Sequence, residues 1–102
     1  MKILDVIKVG PFNYKIMQNY HFGSGSGLEG HCDHDVLEVH IRGKDVNGKA
    51  LMPARVEEIF IHEMLHCISY VYNNNSLSEE VVERLTFGLY QVLKDNDLLK
   101  ED

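Results

Sequence analysis

The segment His62-Glu63-Met64-Leu65-His66 sets two imidazoles four residues apart, with a carboxylate beside the first. On a helix, residues i and i+4 lie on one face a turn apart. Two imidazoles so placed can converge on one zinc ion at about 2.0–2.1 Å each. Glu63 is rotated about 100° from His62. That takes it out of the ligand set while leaving it within reach of a metal-activated water. The spacing therefore predicts metal-assisted hydrolysis, with His62 and His66 as ligands, Glu63 as general base and Zn2+ as cofactor. The bland alternative is a pair of histidines on a buried helix. It would leave two imidazoles needing partners in an apolar run.

Two histidines do not complete the site, because catalytic zinc normally has three protein ligands and one open position. No histidine follows His66, so the third ligand is expected to be a carboxylate of the next helix. Glu79, Glu80 and Glu83 are the candidates. Glu80 points away from the helix's apolar stripe. Glu79 has a competing role if Ser76 and Glu79 form a capping box. Glu83 lies more than a turn inside the helix, where its position is better fixed. Glu83 and Glu79 both stand. For a donor to the developing oxyanion, Tyr70, Tyr72, Tyr90 and His40 are available, and the sequence does not choose among them.

The elements that must hold these groups follow from periodicity. Residues 3–9 (ILDVIKV) form a β-branched run broken by Gly10-Pro11. Phe12, Tyr14 and Ile16 alternate with Asn13, Lys15 and Met17, and Leu37, Val39 and Ile41 alternate with Glu38, His40 and Arg42. Both read as half-buried strands. Residues 36–42 are read either as an internal strand or as the sheet edge to which a peptide could add. Gly23-Ser24-Gly25-Ser26-Gly27 reads as a mobile loop. Pro53 suits the first turn of a helix that runs to Asn73-Asn74-Asn75. A second helix begins near Ser76 or Ser78 and runs through about Lys94, with Val81, Leu85, Leu89 and Val92 as its apolar stripe. Residues 95–102 are charged and are expected to fray. The expected architecture is one α+β domain over residues 1–102, a small antiparallel sheet followed by two helices, a minimal zincin-like fold.

Bulk properties narrow the partners. With 102 residues there is room for one core. The net charge of −6, with Lys and Arg scattered, argues against nucleic acid. There is no long apolar run, so no membrane partner or leader peptide is expected, and a cytoplasmic location with reduced thiols follows. Cys32 and Cys67 form no CxxC pair. Cys67 reads as a small buried hydrophobe. His31, Cys32, Asp33 and His34 cluster in an expected turn. They read first as a polar hairpin, and otherwise as a second metal site or as a thiol that blocks the first.

Three segments carry a family resemblance. IHEMLHCIS is similar to a hydrophobic-HExxH-hydrophobic helix. VERLTFGL is similar to an E-A-n-x-F-A segment, with Phe87 four and Gly88 five residues after Glu83. GHCDHDVLEVHI resembles the turn and strand that precede such a helix. Together they resemble the gluzincins, and more narrowly the small phage and mobile-element metallopeptidases related to the ImmA/IrrE group. The likeness spans about residues 27–95, with HExxH as its specific part. Arg84 and Leu85 depart from the small residues usual after the glutamate. The resemblance implies a zinc peptidase acting on a peptide or protein, with the glutamate of the downstream segment, Glu83, as third ligand. The competing reading is a zinc-binding interaction or inhibitor protein without catalysis.

Overall fold

The computed structural model describes residues 1–23 and 26–100; Ser24 and Gly25 of the glycine-serine loop, and Glu101 and Asp102 of the charged tail, lie outside the described residues. The chain builds β1 (Val6–Val9), β2 (Phe12–Tyr20), β3 (Gly30–Asp33), β4 (Glu38–Arg42), α1 (Pro53–Tyr72) and α2 (Glu79–Asp95). The α+β class and the order of a small sheet followed by two helices are as expected. The strands lie in the order β1-β2-β4-β3.

Two antiparallel hairpins form this sheet, and they meet in a parallel pair. β1 and β2 turn through Gly10, at φ 58°, and Pro11. A positive φ followed by proline's fixed negative one is the sign pattern of a type II′ turn, whose twist suits a hairpin. β3 and β4 form the second hairpin, closed by Asp33, whose Oδ1 accepts the N–H groups of Asp35 and Val36. β2 and β4 run parallel, with Ile16 opposite Val39. The sheet is therefore mixed rather than wholly antiparallel. Parallel neighbours need a long crossover, and residues 21–37 supply it. This pairing puts Tyr14, Ile16, Val39 and Ile41 on one face, all 7% exposed or less. β4 is internal, bonded on both sides, so the reading of residues 36–42 as an edge is corrected: the edge on this side is β3.

The apolar sheet face packs against α1. Val9, Tyr14, Ile16, Val39 and Ile41 meet Ile59, Phe60 and Cys67 in one core. α2 packs on α1 alone and touches no strand. No helix among the described residues is long and apolar enough to cross a membrane.

The turn between the helices sets where α2 begins. Asn74 and Asn75 take positive φ, 51° and 54°. Asparagine tolerates that region better than most residues. The carbonyl of the fully buried Ser69 accepts the N–H groups of Asn73 and Asn75, and its hydroxyl oxygen accepts that of Leu77. Ser78, not Ser76, caps α2, accepting the Val81 N–H at 3.2 Å. The Ser76 hydroxyl donates to the Asn73 carbonyl instead. The expected capping box is therefore absent, and the Glu79 side chain is free of that duty. At the far end, Asp97 has φ 59° and the Leu98 N–H reaches the Leu93 carbonyl, closing the helix as a Schellman turn.

The face that α2 buries is rotated one residue from the expected stripe. Val82 and Thr86 are buried, Leu89 and Leu93 half-buried, while Val81, Leu85 and Val92 are exposed. The Thr86 hydroxyl is satisfied by donating to the Val82 carbonyl at 2.7 Å. Val82→Ala is accordingly expected to lower stability in urea denaturation by about 2 kcal/mol. Val81→Ser should stay within about 0.5 kcal/mol of the parent.

Candidate metal centre

α1 holds His62 and His66 one turn apart with their Nε2 atoms 3.2 Å from each other. Glu79, the first residue of α2, reaches across with one carboxylate oxygen to each ring, 2.6 Å to His62 Nε2 and 2.7 Å to His66 Nε2. Among the described residues, these three form the one group of histidine, cysteine or acidic side chains close enough to share a cation. Glu83 lies one turn further along α2. It lines the adjoining cavity but offers no atom to the cluster. Glu80 pairs with Arg84.

The donor set suits a divalent ion. Tetrahedral zinc with bonds of about 2.0–2.1 Å spaces its ligand atoms roughly 3.3 Å apart. The imidazole pair already stands at that spacing. The carboxylate would withdraw by about half an ångström to admit the ion. Two imidazoles and one carboxylate also match the usual composition of catalytic zinc sites, three protein ligands with a position left open.

Glu63 is buried between α1 and the edge strand, 6% exposed. Burial pushes its carboxyl above the usual carboxylate range. The Cys32 thiol and the two imidazoles pull it down without cancelling that effect, and Glu79 adds to the rise. The group therefore holds its proton more readily than an exposed carboxyl does. Strand β3 makes room for it. A Cβ on Gly30 would lie 2.7 Å from Glu63 Oε2 and 2.9 Å from Ile59 Cγ2. Two residues on, and so on the same face, Cys32 Sγ lies 3.0 Å from the Glu63 carbonyl oxygen and 3.4 Å from its Oε1. Cys67 Sγ is 3.4 Å from Cys32 Sγ, and both thiols are free. Hydrogen bonding to Cys67, then burial, drives the Cys32 thiol far up. Cys32 lies outside the group of side chains close enough to share a cation.

The remaining histidines separate by face. His31 and His40 lie on the other face of the sheet, where His40 stacks on Tyr20 at 4.0 Å and bonds Glu38. His34 follows β3 and turns back toward α1. Its Nδ1 is 3.0 Å from the Tyr14 hydroxyl and its ring stacks on Tyr70 at 4.0 Å. Tyr90 bonds Glu57, and Tyr72 stands beside Gly10. Of the oxyanion donors proposed from sequence, Tyr90 and His40 thus sit with other partners, and Tyr72 is exposed away from both cavities beside the centre. Residues 31–33, expected in a turn, belong instead to strand β3, and of the two alternatives raised for Cys32 a place beside the first site is the nearer, with its Sγ against Glu63. Strand alternation extended back through Gly30-His31-Cys32-Asp33 would have paired Gly30 with Cys32 on one face.

The centre lies between two cavities that share Leu28, Gly30, Glu63 and Glu79. One, about 260 Å³, is completed by Arg55, Glu58, Glu83, Thr86 and Phe87. Arg55 is paired there with Glu29 and Glu58. The other, about 420 Å³, is completed by Cys32, His34, His66 and Leu77. A larger cavity of about 880 Å³, between the end of β2 and the loop after β4, holds none of these groups. Gly30→Ala is expected to crowd Glu63 and Ile59 and lower stability by about 1–3 kcal/mol in urea denaturation. Gly27→Ala, which meets open space, should be neutral in the same assay.

No protein-family model, curated protein or solved structure matches this chain, so its own geometry carries the functional argument.

Proposed function

We propose that the chain is a zinc-dependent peptidase in which His62, His66 and Glu79 hold the metal and Glu63 is the general base. The observation that carries this reading is the convergence of both Nε2 atoms and the Glu79 carboxylate, with the buried Glu63 beside them. A carboxylate from a second helix meets the two imidazoles of HExxH at one point. The likeness of IHEMLHCIS and GHCDHDVLEVHI to small phage gluzincins supports the same activity. Glu79 replaces Glu83 as third ligand in this reading, because Glu79 is the acid that touches both rings.

Zinc bound here would polarise the scissile carbonyl and acidify a water. Glu63 takes the proton of the attacking water on its carboxylate and returns it to the departing amine. The Cys32 thiol, against both the Glu63 carbonyl oxygen and Oε1, holds that residue in place beside β3. β3 is one edge of the sheet and lines both cavities. An extended substrate would add to it as a further strand, its main chain bonded to β3 and its side chains divided between the cavities. A cleft open on both sides of the metal takes the interior of a peptide as readily as its end.

The test has two arms. The chain should bind one zinc per molecule. Glu79→Gln should lower its affinity by more than the roughly 10–100-fold that follows loss of outer hydrogen-bond partners, while Glu83→Gln leaves it little changed. The reverse pattern would return the third ligand to Glu83. With zinc retained, Glu63→Gln should reduce cleavage of a broad peptide library by about 10²–10⁴-fold. A zinc-loaded parent that cleaves nothing in that library would leave a metal-binding protein without the enzyme.

A further inference from the structure

We propose that His34 is a second catalytic residue of this site, donating from Nε2–H to the carbonyl oxygen of the scissile bond, with Tyr14 as the residue that fixes its tautomer. The inference rests on the peptidase reading above and adds the group that bears the developing negative charge. It starts from a buried phenol. Tyr14 is fully buried, and burial pushes its pKa up to about 12, so the hydroxyl keeps its proton. Among the described residues, the one partner of that hydroxyl is His34 Nδ1, at 3.0 Å. If Nδ1 carried the imidazole proton, the phenol would accept, and its own proton would be buried without an acceptor. Such a group costs about 1–3 kcal/mol. The phenol therefore donates, Nδ1 accepts, and the imidazole proton sits on Nε2.

Nothing among the described residues takes that Nε2–H. The ring is held in plane against Tyr70, stacked at 4.0 Å and 7°, and edge-on to Tyr14. It lines the 420 Å³ cavity together with Glu63, His66 and Glu79. Burial, then the neighbouring His66 and His31, hold its pKa below the ordinary imidazole range. The ring is thus a neutral donor, compatible with a cation nearby. A rigid, preset donor in the same cavity as the residues that would hold a metal is the arrangement that stabilises an oxyanion without reorganisation. Tyr70 then serves as the stacking support of the donor rather than as the donor.

Long-range proton–nitrogen correlation spectra of the full chain, with and without zinc, read the tautomer without needing activity. The expected result is Nε2–H on His34, with Tyr14→Phe restoring a mixture. A dominant Nδ1–H form in the parent overturns the inference. In the kinetic arm, His34→Leu should lower kcat on a peptide cleaved by the parent by about 10²–10³-fold, with KM and zinc affinity nearly unchanged. His34→Gln, which keeps an N–H donor, should lose less. Equal kcat in the parent and both variants, alongside a dead Glu63→Gln, removes His34 and leaves the peptidase standing. A zinc-loaded parent that hydrolyses nothing removes the peptidase and, with it, this role for His34.

Discussion

Two imidazole nitrogens 3.2 Å apart, both facing the same carboxylate, are a crowded electrostatic arrangement. Lone pairs cannot face each other there without a proton or a cation between them, and the carboxylate favours either. Every other part of the site is arranged around that cluster. Helical spacing presents His62 and His66 together. The third corner comes from the first residue of another helix, so it depends on where that helix starts. Ser69 and Ser78 decide this, one by holding the Leu77 N–H and the turn, the other by capping α2. Ser69 belongs to the same helix as the two histidines, so α1 both supplies two corners of the cluster and dictates the position of the third.

The buried polar groups behind the cluster are matched to one another. Glu63 is nearly fully buried, and a carboxylate there needs donors. Cys32 provides one, with Cys67 behind it. Tyr14, at the bottom of the sheet's core face, finds its acceptor in His34. Among the described residues, no buried side-chain nitrogen or oxygen lacks a hydrogen-bond partner. The apolar core thus ends, on the side of β3, in a short run of polar pairs that leads to the cleft.

Much of this was legible in the residues. α1 appears over the span marked by Pro53 and Asn73, because a long apolar run without Gly or Pro has little alternative to helix. The HExxH spacing translates into geometry as helix periodicity requires. What escaped was decided by contacts distant in sequence. The α2 stripe was misplaced by one residue because Val81, Leu85, Leu89 and Val92 look more apolar than Val82 and Thr86. The threonine becomes tolerable only once its hydroxyl bonds back to the Val82 carbonyl. Helix geometry favoured Glu83 over Glu79, and it is Glu79 that meets the two rings, because Ser78 rather than Ser76 caps the helix and leaves the Glu79 side chain free. The parallel pairing of β2 with β4, and hence the edge position of β3, depends on a crossover whose residues 21–29 have little pattern of their own.

The register of the β3–β4 hairpin binds the sheet to the site. Side chains alternate along a strand, so a slip of one residue exchanges its two faces. Here that would bring His31 and Asp33 against Glu63, where Gly30 and Cys32 now fit, and would carry His34 off Tyr14. Descendants of this sequence could therefore vary the length of the segment between β4 and α1, which meets the site nowhere. A single-residue insertion or deletion within β3 would exchange its faces and dismantle the site while the strands still paired. Divergence in this lineage would thus proceed by substitution on one side of the sheet and by changes of length on the other.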